Sequence, residues 1–201
     1  MIICRSNNFV VVRPPKTGST SLLHYFLNSN LINPEQDKYF LDGGKDYVHK
    51  TFKELVAEKH IKGNEPCVAT VRNPIERFSS AFYYIRTKAH VTCGSYTNPN
   101  VYWDDLKKSQ GSAGIKNIAY PQCDYFPEHA ELFNTENLHE HVSKYILEKG
   151  GKVDERIEMR KNPDNKPDVF LAGLTPDRKQ SILDTYSKDF ELWEKAYAVY
   201  N

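Results

Sequence analysis

Two adjacent prolines, Pro14 and Pro15, close a short apolar run, and they constrain this chain more than any other feature. Neither can donate to a ladder and both fix φ, so the β-branched run FVVV at 9 to 12 must stop pairing there. A run that is apolar throughout, rather than alternating, fits a parallel strand buried on both faces. Beyond the prolines, Lys16, Thr17, Gly18, Ser19, Thr20 and Ser21 lead into an amphipathic stretch that ends near Leu27. The order is strand, loop, helix. One cation, several hydroxyls and a glycine fall where the first unpaired N–H groups of the helix emerge, which makes the turn an anion site. The same residue types also build a plain helix N-cap, so the loop takes its function from the rest of the chain. A nucleotide loop of the GxxxxGK[ST] kind is disfavoured, because Lys16 precedes Gly18 by two positions and no glycine lies upstream.

The 201 residues suit one domain, and 39% hydrophobic with 12% aromatic content is enough for a real core. With 27 Lys and Arg against 26 Asp and Glu, the net charge of +1 argues against a nucleic-acid binder, so an electropositive site must be made locally. Cys4, Cys67, Cys93 and Cys123 lie far apart without a CxxC spacing and read as free thiols rather than a zinc ribbon or disulfide scaffold. His139 and His141 flank Glu140 on a charged helix with no Cys or His partner at ligand spacing, so no metal is expected. No run approaches the ~20 apolar residues of a membrane span, and the N-terminus enters the first strand without a leader pattern.

Strand and helix signals alternate along the chain. KYFLD at 38 to 42 reads as a short second strand broken by Gly43 and Gly44, and 50 to 61 as a helix stopped by Gly63. PCVATV at 66 to 71 reads as the second central parallel strand, and Pro74 opens a long helix carrying Ile75, Phe78, Phe82 and Ile85. Residues 93 to 127 lack a sustained period and read as a substrate or lid loop containing a short helix. Leu138, Val142, Tyr145 and Ile146 mark a helix, 150 to 168 a charged excursion, and VFLAGL at 169 to 174 a last strand. Ile182, Tyr186, Phe190, Trp193 and Tyr197 mark one or two C-terminal helices. This alternation predicts a three-layer α/β/α fold with a mainly parallel central sheet and ligands beyond the carboxyl ends of its strands, where Gly18 and Arg72 both lie.

The order PPKTGSTSL resembles the 5′-phosphosulfate loop of sulfotransferases, which use 3′-phosphoadenosine 5′-phosphosulfate as sulfuryl donor. VRNPIERFSSAFYY at 71 to 84 extends the resemblance: in that family an Arg at a strand end and a Ser eight residues later hold the donor's 3′-phosphate, and Arg72 and Ser80 have this spacing. A guanidinium offers a fork of donors to a dianion, and a hydroxyl adds one more. HKTFKEL, beginning at His49, is similar to the His-x-x-aromatic-x-Glu-Leu stretch of heparan sulfate 2-O- and 6-O-sulfotransferases, in which the histidine is the base. An imidazole with an ordinary pKa near ~6.5 suits that role.

The resemblance implies a P-loop NTPase-like sulfotransferase fold in a single domain over 1 to 201. Lys16, Thr17, Gly18, Ser19, Thr20 and Ser21 would hold the 5′-end of the donor, Arg72 and Ser80 the 3′-phosphate, with no metal. Lys16 would steady the leaving group and His49 would take the proton of an acceptor hydroxyl, favoured to be a carbohydrate's. Glu54 and Asp46 are the alternatives to His49 as base. Gln122, Tyr186, Asp189 and Phe190 also match patterns of carbohydrate sulfotransferases and read as scaffold. Many of those enzymes are anchored in the Golgi; a chain that begins at its first strand departs from them and implies a cytoplasmic setting in a bacterium or virus, or a trimmed chain. The rivals are a small P-loop kinase and a non-catalytic module that keeps the nucleotide site.

Overall fold

The computed structural model describes residues 1–33, 35–39, 48–87, 96–108, 116–157 and 165–198. Strand β1 (Ile2–Cys4) folds back on β2 (Phe9–Val12), which passes through the proline loop into α1 (Ser19–Leu27). There follow β3 (Lys38–Tyr39), α2 (Phe52–Ala57), β4 (Cys67–Val71), α3 (Pro74–Thr87), α4 (Pro99–Lys108) and α5 (Lys116–Ala119). A 3-10 turn (Gln122–Asp124), β5 (Glu131–Asn134), α6 (Leu138–Glu148), α7 (Pro167–Ala172), α8 (Pro176–Thr185) and α9 (Ser187–Ala198) complete the described elements.

The strands lie in the order β3-β1-β2-β4-β5. β2, β4 and β5 are parallel neighbours, β1 is antiparallel to β2, and β3 is antiparallel to β1, so β1 alone runs against the other four. Successive residues of these strands face opposite layers. Val11, Val68 and Phe133 pack with Leu22 and Phe26 of α1 and Val142 and Ile146 of α6. Val10, Val12, Ala69 and Val71 pack with Phe52 and Leu55 of α2 and Ala196 of α9. The fold is therefore α/β in three layers, with helices on both faces of a sheet whose strands mostly share one direction, as the alternating signals predict. A second, aromatic core joins Phe78 and Phe82 of α3 to Tyr102 and Trp103 of α4, Phe170 of α7 and Tyr186.

Several elements differ from the sequence expectation. VFLAGL is helix α7 followed by Gly173 and Leu174, because Pro167 opens a helix at its first position and only one side of the segment is buried. Phe170 is 1% exposed while Val169 is 59% exposed, which a strand covered on both faces would not allow. The sheet edge belongs instead to β5, which the sequence analysis does not assign; only Phe133 and Asn134 of its four residues are buried, so it carries no apolar run. MIIC is a strand of its own because the Asp37 carboxylate accepts from the Arg5, Ser6 and Asn33 N–H groups at 2.7, 2.9 and 2.7 Å and pins the turn that follows. Helix α2 starts in a Thr51–Glu54 capping box and stops at Glu58, well before Gly63, because Lys59 takes a left-handed φ of 58°.

Of the expected second strand only 38 and 39 form β3; 40 to 42, Gly43 and Gly44 lie outside the described residues, as do Cys93 and 158 to 164 of the charged excursion. Cys4, Cys67 and Cys123 are free thiols. Among the described residues no helix is long and apolar enough to cross a membrane.

Candidate anion-binding and transfer site

The proline loop is held by its carbonyls. Thr17 Oγ1 donates to Pro14 O at 2.8 Å and, its proton spent, accepts from Thr70 Oγ1 at 2.7 Å. Arg77 Nε donates to Pro15 O at 3.0 Å, and Arg13 Nε donates to Ser19 O at 2.9 Å. Both arginines are buried, Arg77 completely. Thr135 Oγ1, just past β5, donates to Val71 O at 2.9 Å and reaches Thr17 O at 3.4 Å. With the carbonyls turned into the fold, the N–H edge of the loop faces the other way.

Backbone angles sharpen that edge. Lys16 has φ 66° and Gly18 φ 71°, while Thr17 between them is not in the left-handed region. Alternation of this kind points successive N–H groups into one concavity, a nest for an anion. Gly18 is also the N-cap of α1 and no side chain caps the helix. Helix α3 differs: Asn73 Oδ1 accepts from the Ile75 and Glu76 N–H groups at 3.0 and 3.4 Å and so occupies its first turn. The open helix end is α1 alone of these two. Gly18 has little freedom to be anything else, since a Cβ there would lie 3.3 Å from Leu138 Cδ2 and from Thr135 Cγ2 besides forcing a side chain into the left-handed region.

Of the loop residues singled out from sequence, Thr17, Ser19 and Ser21 are buried, Thr20 is exposed and Lys16 is half-buried. The Thr17 hydroxyl is scaffold, and only its main chain faces the nest. The Lys16 ammonium lies 3.9 Å from the centroid of the Tyr84 ring on α3. Ser80, buried, falls three residues after Arg77 and four before Tyr84, so all three share one face of α3. Because Arg77 grips Pro15 and Tyr84 meets Lys16, the loop runs along this face and Ser80 sits beside it.

Arg72 follows β4 and its main chain is bracketed by Gln122, whose Oε1 accepts from Arg72 N at 2.9 Å and whose Nε2 donates to Arg72 O at 2.8 Å. Its guanidinium is turned onto Glu76, with Nε and Nη2 at 3.2 and 3.1 Å from Oε2. An anion at Arg72 must share it with that carboxylate. Asp189 accepts from the Gln122 and Cys123 N–H groups at 2.7 and 2.9 Å, and its Oδ2 is 4.0 Å from Arg77 Nη1. Tyr186 donates to Ala119 O at 2.6 Å. Gln122, Asp189 and Tyr186 thus each hold main chain, Gln122 that of Arg72, Asp189 that of Gln122 and Cys123, and Tyr186 that of Ala119.

His49 reaches the same loop through Arg13. Its Nδ1 is 2.7 Å from Arg13 O, and since a carbonyl only accepts, Nδ1 carries the proton and Nε2 keeps its lone pair. Burial first of all, then the nearby Arg13 and Arg77 charges, push its pKa down to about 4, against the opposing hydrogen bond to Arg13 O. The imidazole is neutral at pH 7, because its pKa lies well below the ordinary 6.5. Of the alternative bases, Glu54 is engaged in the capping box, accepting from Thr51 N at 2.7 Å, and Asp46 lies outside the described residues.

Arg13 and Arg77 are the residues the sequence analysis misses. The signal for Arg13 is a cation between an apolar strand and two prolines, where a charge is worth its burial only if it serves both sides. Together with Lys16 and Arg72 they place four cations around the ends of β2 and β4, with the carboxylates of Glu76 and Asp189 beside Arg72 and Arg77. Among the described residues no group of three or more His, Cys, Asp or Glu side chains is placed to hold a metal ion.

No family model matches the chain, and none of the curated proteins matches it. Among solved structures it is similar to a crystal structure of a sulfotransferase from Alicyclobacillus acidocaldarius, with 12% identity over 94% of each chain and a TM-score of 0.46.

Proposed function

We propose that this chain is a single-domain sulfotransferase that moves the sulfuryl group of 3′-phosphoadenosine 5′-phosphosulfate to a hydroxyl of a carbohydrate acceptor without a metal. The observation that carries the reading is the nest at Lys16, Thr17 and Gly18 on an uncapped helix, with a neutral histidine tied to the same loop through Arg13. The pieces fit such a donor: main-chain N–H groups and Lys16 suit its 5′-end, with Ser19, Thr20 and Ser21 around them, and Arg72 and Ser80 suit a 3′-phosphate. The donor supplies a sulfuryl group on a phosphate leaving group. Lys16 neutralises the charge that grows on the leaving oxygen, in a loop fixed before the reaction begins. His49 Nε2 takes the acceptor proton as the acceptor oxygen bonds to sulfur and the bond from sulfur to the phosphate oxygen breaks. Arg13 O keeps Nδ1 protonated throughout and so keeps Nε2 free to act.

The direct test is transfer of labelled sulfuryl from the donor to a panel of carbohydrate, lipid, phenolic and tyrosyl hydroxyls. Label should appear on a carbohydrate, and His49→Ala should lower the transfer rate by roughly 10²–10⁴-fold while binding the donor as before. Turnover of ATP with phosphoryl transfer to the same panel would make the chain a kinase. Donor binding with no transfer to any acceptor would make it a nucleotide-binding module.

A further inference from the structure

We propose that Tyr84 is a positioning residue for Lys16, restraining the ammonium against its ring face at the proline loop; the proposal rests on the reading of Lys16 as the cation of the transfer site. The Lys16 Nζ sits 3.9 Å from the centre of the Tyr84 ring, inside the range in which a cation is held by the negative face of an aromatic ring. Tyr84 is 41% exposed, whereas its neighbours Phe82 and Tyr83 are 2% and 8% exposed and belong to the aromatic core. Packing therefore does not require a large ring at 84. The ring meets the Lys16 ammonium.

The chemistry of the partner matters. A carboxylate would also hold Lys16, but it would cancel the charge and compete with the incoming anion, as Glu76 does at Arg72. A ring face restrains a long side chain and leaves its ammonium cationic, with N–H donors to offer. The backbone agrees with this purpose. Among the described residues Lys16 is one of four non-glycine residues in the left-handed region, and the loop at its side is fixed by Arg77 on Pro15 O from the same face of α3 that carries Tyr84. One helix face thereby sets the loop through Arg77 and the lysine through Tyr84, with Ser80 between them.

If the ring pre-orders the lysine, removing it moves the cost of ordering that side chain into the binding step. Tyr84→Leu should then weaken binding of 3′-phosphoadenosine 5′-phosphate and of inorganic pyrophosphate by about 2–12-fold, the worth of immobilising one long side chain. Tyr84→Phe, which keeps the ring face, should recover most of the loss. In a Lys16→Ala background Tyr84→Leu should have no further effect, since the two act as a pair. Carbon-13 dimethylation of the lysines gives a readout that ignores activity: the Lys16 signal, identified by its loss in Lys16→Arg, should be shifted upfield by the ring and lose that shift in Tyr84→Leu. If the wild type binds the nucleotide but Tyr84→Leu leaves both the Lys16 signal and the affinities unchanged, or Tyr84→Phe loses as much as Tyr84→Leu, positioning by the ring is wrong while the transferase reading stands. If the wild type ignores the nucleotide but the Lys16 signal carries the ring shift and pyrophosphate affinity depends on Tyr84, the transferase reading falls and the positioning role holds. Binding of neither anion overturns both.

Discussion

Arg13 ties the two parts of the proposed transfer site together, since its carbonyl fixes the tautomer of His49 and its guanidinium fixes the loop at Ser19. The histidine it holds should be unusually acid-tolerant as a base. With a pKa near 4 rather than the ordinary 6.5, its lone pair is available throughout the neutral range, so the acidic limb of the transfer rate should fall near pH 4. A limb near pH 6.5 in a rate profile at saturating donor would contradict the burial described here. Stability should follow the same group. Between pH 6.5 and 4 the unfolded chain binds the proton that the folded chain refuses, so folding weakens as pH falls across that window, by up to about 1.4 kcal/mol per unit. Urea unfolding at stepped pH should show that slope in the wild type and a flatter one in His49→Gln. Arg72 poses the opposite case, a cation already shared with a carboxylate. Glu76→Gln should tighten binding of 3′-phosphoadenosine 5′-phosphate by about 2–5-fold, the scale of a partly exposed ion pair, and Arg72→Ala should weaken it by roughly 10-fold or more. Calorimetric titration reads both, and a Glu76→Gln protein that binds more weakly would remove Arg72 from the 3′-phosphate.

Helix α2 ends on a residue unsuited to its conformation. Lys59 occupies the left-handed position after the helix, with Lys59 N–H on Val56 O at 3.0 Å and His60 N–H on Leu55 O at 2.9 Å, the paired bonds of a Schellman stop. Lys59→Gly should therefore stabilise the fold by about 1 kcal/mol, visible as a higher urea midpoint, and a lower midpoint would mean that the lysine side chain does more than end a helix. The same element shows why part of the fold was hidden in the sequence. Glycines are the usual stop signal, so Gly63 draws the boundary too far; the stop is made by hydrogen bonds that a lysine tolerates. Strand β5 is hidden for another reason: an edge strand with two buried residues has no apolar run to display, whereas β2 and β4, buried along their whole length, are legible at once. VFLAGL looks like such a strand only until Pro167 is given its weight as a helix opener. Near the site, the loop and the Arg72 to Ser80 spacing are local patterns and could be read directly. Arg13 leaves a local trace, a cation set between an apolar strand and two prolines and bonded 6 residues on to Ser19, whereas Arg77 acts across 62 residues on Pro15 and no local pattern announces that pairing.

Across the whole molecule, β2, β4 and β5 bring their carboxyl ends to one edge of the sheet, and the chain spends its buried cations there. Arg13 and Arg77 are inside the fold, Lys16 and Arg72 nearer its surface, and Glu76 and Asp189 stand beside Arg72 and Arg77, so a protein with a net charge of +1 gathers four cations and two carboxylates near an open helix end. The proposed donor would bring such an edge two separated anionic groups, one for the nest and one for Arg72. Calorimetric titration of the wild-type protein with 3′-phosphoadenosine 5′-phosphate, adenosine 5′-phosphosulfate and ATP tests that match most directly. The nucleotide with both phosphates should bind tightest, the one lacking the 3′-phosphate more weakly, and ATP weakest. ATP binding as tight as or tighter than the 3′-phosphorylated nucleotide would contradict the assignment of Arg72 and Ser80 and, with it, the sulfotransferase.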